Sequence, residues 1–265
     1  MARGIGDDRE AMRGLAAGLM LALLVMPIGR DAFAGDRFRL LQLGGHPVKW
    51  GSPARGAGAS IGYAFVDRKI HFDNARNCRD LEPLDATLAT SGIGWSALRP
   101  EVEAAFAQWA SVANVNFHET AAARAQIFIG AFSGRGAAFA DVAWQRPVDG
   151  ETASIERSLI CLNADRPWKL GFDGDLSVYD VRYTLTHEIG HAIGLDHPGT
   201  FGALMSFPYN ERFRTLRDGD IKGVVALYGA RPLPVAGLPV PVLGTAASVA
   251  EALPVAAPAR KRPFP

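Results

Sequence analysis

Three histidines and a glutamate fall within one short stretch, Thr186-His187-Glu188-Ile189-Gly190-His191-Ala192-Ile193-Gly194-Leu195-Asp196-His197-Pro198. On a helix, His187 and His191 lie on one face a turn apart, where two imidazoles can hold a single ion. Glu188 then sits beside that ion without being forced to ligate it. Gly194 can take the left-handed conformation that ends a helix and turns the chain, so that His197 returns as a third nitrogen ligand. Three neutral imidazoles leave one zinc position open for water and then substrate, whereas a structural site fills all four with protein. Zinc acidifies water toward neutrality, and Glu188 can take the proton as that water attacks a carbonyl and later return it to a leaving amine. The pattern therefore predicts one catalytic zinc on His187, His191 and His197, with Glu188 as catalytic base and acid.

The elements that must position these residues are also readable. Val178 to Gly194 reads as the helix carrying the first two histidines. An earlier helix is marked by Leu98, Val102, Phe106, Trp109 and Val112, spaced three and four apart, with Pro100 suited to its first turn. Asp218 to Tyr228, closed by Gly229, reads as a third helix. Strands are expected at Ile61 to Val66, Val115 to His118, Gln126 to Phe132, Ala137 to Trp144 and Ser158 to Leu162. Residues 35–60 are rich in Gly and Pro without sustained periodicity and read as a lead-in segment.

With 265 residues, 48% of them hydrophobic, the chain can bury a substantial core. Lys and Arg total 28 against 27 Asp and Glu, which gives no reason to expect nucleic acid or an anionic membrane as partner. Arg3, Arg9 and Arg13, the apolar run from Leu15 to Ile28 and then Ala32-Phe33-Ala34 have the layout of a secretory signal over residues 1–34. That run is short for a membrane anchor and is followed by Arg30 and Asp31. Cys78 and Cys161 are the only cysteines; in an exported chain one disulfide is the simplest arrangement, two thiols the alternative. From residue 230 onward eight prolines interrupt an Ala and Val background ending in Arg260-Lys261-Arg262. This reads as a flexible tail over residues 230–265, since a spanning helix tolerates prolines poorly.

The stretch resembles the metzincin metalloproteases, whose signature HExxHxxGxxH is followed by a methionine turn beneath the zinc. Met205, within Ala203-Leu204-Met205-Ser206-Phe207, lies eight residues after His197. That short spacer is similar to the matrixin branch, relatives of the matrix metalloproteinases, and Phe207 stands where astacins and serralysins place a zinc-reaching tyrosine. The resemblance covers roughly residues 61–229 and implies an α+β metzincin fold. Its parts would be a twisted, mostly parallel five-stranded sheet with an antiparallel edge strand, two long helices, and a small C-terminal subdomain with the methionine turn and closing helix. It further implies that the edge strand, with Ala138, Phe139 and Ala140, offers backbone groups to an extended peptide. Phe207, Pro208 and Tyr209 would wall an apolar substrate pocket, and Met205 would support the metal from below.

Departures from the family pattern matter as well. The stretch 133–144 lacks the histidines that hold a second, structural zinc in vertebrate-type relatives, so none is expected. Calcium is left open: Asn163, Asp165, Asp173 and Asp175 occupy the region of the family's acidic loop, where such residues are more often solvated turn formers. The expected protein is a secreted or periplasmic monomeric endopeptidase acting on protein or peptide. Its alternative is a catalytically idle metal-binding or matrix-attachment module on the same fold.

Overall fold

The computed structural model describes residues 37–147 and 151–233. The expected signal peptide and residues 234–265 of the expected tail lie outside these. In chain order the elements are β1 (Arg39–Leu40), β2 (Gln42–Leu43), β3 (His46–Lys49), β4 (Ala59–Phe65), β5 (Ile70–His71), β6 (Asp80–Leu81), α1 (Asp85–Thr90), α2 (Trp95–Val112), β7 (Val115–Glu119), β8 (Ile127–Phe132), β9 (Ala138–Gln145), β10 (Ala153–Asn163), β11 (Trp168–Lys169), β12 (Tyr179–Asp180), α3 (Val181–Ala192), β13 (Leu195–Asp196) and α4 (Asp218–Tyr228).

Runs of β-branched and aromatic residues build the central sheet. Strands β7, β4, β8 and β10 lie side by side in parallel, and β9 runs antiparallel along the outer edge of β10. These match the five expected strands, and the fold is α+β. Two short strands extend the sheet. β3 joins β10 in parallel at Ala153 and Ser154, and β2 folds back on β3 as a hairpin. The physical reason is the length of β10: its 11 residues outrun β8, which pairs only from Ser158 to Asn163. The leading peptide groups of β10 are satisfied by a segment with no sequence periodicity of its own. Gly44 and Gly45, at φ +58° and +85°, make the hairpin turn that few other residues could.

The helices pack against this sheet through one continuous core. α2 begins at Trp95, so Pro100 falls in its second turn rather than its first. Trp95 meets Phe65 of β4 edge-on at 4.9 Å between ring centres, a contact that draws the helix start back by a turn. α3 begins at Val181, later than its apolar pattern suggests, because the Asp180 carboxylate caps it by accepting from the Tyr183 N–H at 2.8 Å. Just beyond its other end Gly194 has φ +104°. A Cβ there would strike the Val48 carbonyl of β3, so both the turn and the close approach of the hairpin need glycine. Cys78 and Cys161 form a disulfide with Cα atoms 6.6 Å apart. It ties the β5–β6 segment to β10 within a second apolar cluster that includes Phe72, Leu81, Phe132 and Leu159.

Candidate active site

α3 presents His187 and His191 one turn apart, and the turn at Gly194 brings His197 back to face them. Their Nε2 atoms converge: His197 Nε2 lies 3.1 Å from that of His187 and 3.2 Å from that of His191. The opposite ring nitrogens are already engaged. His187 Nδ1 lies 2.9 Å from the Leu204 carbonyl and His191 Nδ1 2.8 Å from the Leu195 carbonyl. A carbonyl only accepts, so each Nδ1 carries the hydrogen and each Nε2 is left with a lone pair directed at the shared point. Burial, together with the neighbouring rings, holds His187 well below its usual pKa and His191 at about 4, and burial also lowers His197. Neutral imidazoles with convergent lone pairs repel one another unless a cation lies between them, so the donor set fits a metal ion. Among the described residues this is the one cluster of His, Cys, Asp and Glu close enough to share an ion.

The turn beneath the histidines is held by a residue that motif spacing did not single out. The buried Asp220 carboxylate accepts from the backbone N–H of Leu204, Met205 and Arg217 at 2.8, 3.0 and 2.8 Å. It thereby fixes the same Leu204 whose carbonyl orients His187. Met205 is buried, and its sulfur packs so closely on Gly190 that a Cβ at that position has no room. Trp109 of α2 fills the other side and donates its indole N–H to the Thr186 carbonyl at 2.9 Å. Only the position of Asp220 in the first turn of α4 hinted at a capping role.

Glu188 is buried beside the triad. Burial pushes its carboxyl up to about 8, against the pull of a hydrogen bond from the Ala140 backbone. The cleft it faces has a volume of about 880 Å³. One wall is β9; the other includes Phe207, Pro208 and Tyr209. Phe207 is 80% exposed, with its ring edge-on to His197 at 5.1 Å. Tyr209 is turned inward: its hydroxyl donates to Glu211 and accepts from the Asp180 N–H, and its ring packs on Tyr179 and Tyr183.

A family model described as matrixin matches residues 86–229, just over half of the chain. The chain belongs to the matrixins. Metalloendoproteinase 4-MMP of Arabidopsis thaliana is 34% identical over 139 residues, covering 48% of this chain and 39% of that protein. Matrix metalloproteinase-19 of Mus musculus is 32% identical over 138 residues, covering 51% of this chain and 25% of that protein. The matched part thus spans well under half the length of these relatives.

Within this matrixin domain, β9 has an open edge with a definite phase. The Asn163 N–H donates to the Ala137 carbonyl of the strand's lead-in, so Ala137 points its peptide groups at β10. By the two-residue period, Ala138, Ala140 and Val142 point theirs away from it. Phe139 faces the back of the sheet and packs on Phe132 at 5.4 Å. The acidic-loop residues are engaged by donors from the chain itself. Asn163 gives its side-chain N–H groups to the Gly134 and Gly136 carbonyls at 2.8 and 2.6 Å, and Arg166 donates to Gly136. The Lys169 ammonium sits among Asp173, the Asp175 carbonyl and Glu211. Sequence reasoning did not find Asp141, Arg76 or Asn77, which border the cleft, Asp141 lying 64 residues beyond Asn77 in the chain.

Proposed function

We propose that this matrixin is a secreted zinc-dependent endopeptidase, with His187, His191 and His197 holding the ion and Glu188 moving the proton. The observation that carries the reading is the convergence of three imidazole Nε2 atoms, two of the rings held from behind by backbone carbonyls, beside a buried carboxylate and an open strand edge. When bound there, zinc supplies Lewis acidity that polarises a carbonyl and acidifies water. Glu188 accepts the proton of the attacking water and delivers it to the departing amine nitrogen. Its raised pKa suits that exchange, and the nearby cation favours the ionised form needed for the first transfer. The open groups of β9 hold an extended peptide by strand addition, and Phe207, Pro208 and Tyr209 line the apolar side of the pocket, with Met205 as support below.

Export is supported by the basic and apolar residues before Ala34 and by the Cys78–Cys161 disulfide, since such bonds persist in oxidising compartments. Among the described residues no helix is long and apolar enough to cross a membrane. The test is Glu188→Ala in the secreted protein. It should keep one equivalent of zinc while chelator-sensitive cleavage of casein falls roughly a hundred- to ten-thousandfold. Undiminished cleavage by that variant would sink the mechanism, and no cleavage by the unaltered protein would favour an idle metal-binding module.

A further inference from the structure

The segment between β5 and β6 crosses the back of the sheet and reaches the open edge of β9. Three anchors hold it there. The Cys78–Cys161 disulfide fixes it to β10; Phe72 and Ala75 bury in the apolar cluster with Leu159 and Phe132. The buried Asp141 carboxylate accepts from the backbone N–H of Arg76 and Asn77 at 2.6 and 2.8 Å. The result places Asn77 at the cleft, where its side-chain amide donates to the Ala140 carbonyl at 2.8 Å.

Ala140 is one of the three residues whose peptide groups face the open edge, and it is the one beside Glu188. Its carbonyl is engaged by Asn77. The carbonyl of the central rung of the edge is therefore already covered. Resting on the reading of β9 as the strand that pairs with substrate, we propose that Asn77 is a resident competitor for the substrate's backbone. Its carboxamide imitates the N–H of an incoming strand, and an extended peptide must displace it to bind Ala140. The contact is solvent-exposed and so weak enough to yield, while the disulfide and Asp141 keep the side chain near its acceptor. Asn77 on this account sets peptide affinity and takes no part in bond cleavage.

The test compares zinc-loaded wild type, Asn77→Ala and Asn77→Asp on fluorogenic casein-derived peptides. An exposed hydrogen bond nets about 0.5–1.5 kcal/mol, so removing the competitor should lower KM by about two- to tenfold. kcat and Tm should hardly change, whereas a merely structural brace would lower Tm and leave KM alone. A second readout is the side-chain 15N–1H signal of Asn77 in zinc-loaded Glu188→Ala protein titrated with the same peptides. It should shift as the peptide saturates. An unchanged KM in both variants, or an Asn77 signal that stays put while other cleft residues respond, overturns the inference and leaves the peptidase reading intact. If wild type neither cleaves nor binds any peptide, the reading of β9 falls and this inference with it.

Discussion

Two regions of this matrixin gather electron-rich atoms, and they resolve the resulting repulsion in opposite ways. At the triad the N–H groups of His187 and His191 point outward, to the Leu204 and Leu195 carbonyls, and their lone pairs converge with the His197 ring on one point. Along the loops after β8 and β10 the chain brings its own donors. Asn163 and Arg166 fill the Gly134 and Gly136 carbonyls, and Lys169 fills the space among Asp173, Asp175 and Glu211. Burial alone would lower the Lys169 pKa, but its bonds to Asp173 and Glu211 outweigh that and raise it. A cluster of acceptors fits a metal ion when the fold withholds N–H groups from it, and becomes a folded loop when it supplies them.

Removing one imidazole breaks the first half of that contrast. His191→Ala should reduce bound zinc to well below one equivalent and cleavage to background, because two ligands rarely hold the ion. Metal analysis after gel filtration checks it; full zinc in that variant would mean the triad is not the site. The next effect comes from the group that aims a ligand. Asp220→Ala strips a common acceptor from three backbone N–H groups, two of them buried, which should cost about 3 kcal/mol. Misplacing Leu204 should weaken zinc binding by roughly ten- to a hundredfold. Asp220→Asn, which keeps one acceptor oxygen, should lie between.

The contrast also separates two lysines. Lys169 sits among carboxylates, whereas Lys49, wholly buried, donates only to the Trp50 and Ser52 carbonyls, at 2.9 and 2.5 Å. Burial lowers its pKa to about 8. Between that value and about 10.5 the unfolded chain holds a proton at this site that the folded protein has released. Stability contributed by Lys49 therefore rises with pH across the window and is lost as pH falls toward 8. Urea unfolding from pH 8 to 10.5 should show a gain of roughly 1–3 kcal/mol relative to Lys49→Met. Equal slopes for both proteins would contradict the assignment.

What could be read beforehand follows the range of the interactions. The histidine spacing, the strand runs and the α4 boundary are local, and the structure places them where the periodicities put them. The start of α2 depends on Trp95 meeting Phe65, thirty residues earlier in the chain, and the hairpin at 42–49 is stabilised by a β10 end more than a hundred residues away. Neither leaves a periodic trace. Asp141, Asn77 and Asp220 act on backbone groups, which carry no sequence signal of their own. The acidic loop shows the same limit from the other side: composition displayed the carboxylates, but only tertiary structure shows that Lys169 already lies among them.

The smallest expected effect probes that loop directly. Asn163 faces the Gly134 and Gly136 carbonyls with N–H groups while its own oxygen accepts from the Asp165 N–H. Asn163→Asp keeps that last bond but replaces two donors with a charge, so the carbonyls meet a carboxylate. Loss of these bonds should destabilise the protein by about 1–2 kcal/mol and lower Tm by a few degrees. The altered loop would then present a carboxylate and two carbonyls, the hard oxygen ligands calcium prefers. Millimolar calcium should therefore recover part of the lost Tm in the variant and leave wild type nearly unmoved. An equal calcium response in both would mean the chain's own donors do not stand in for a cation, and the contrast between the two regions would fail.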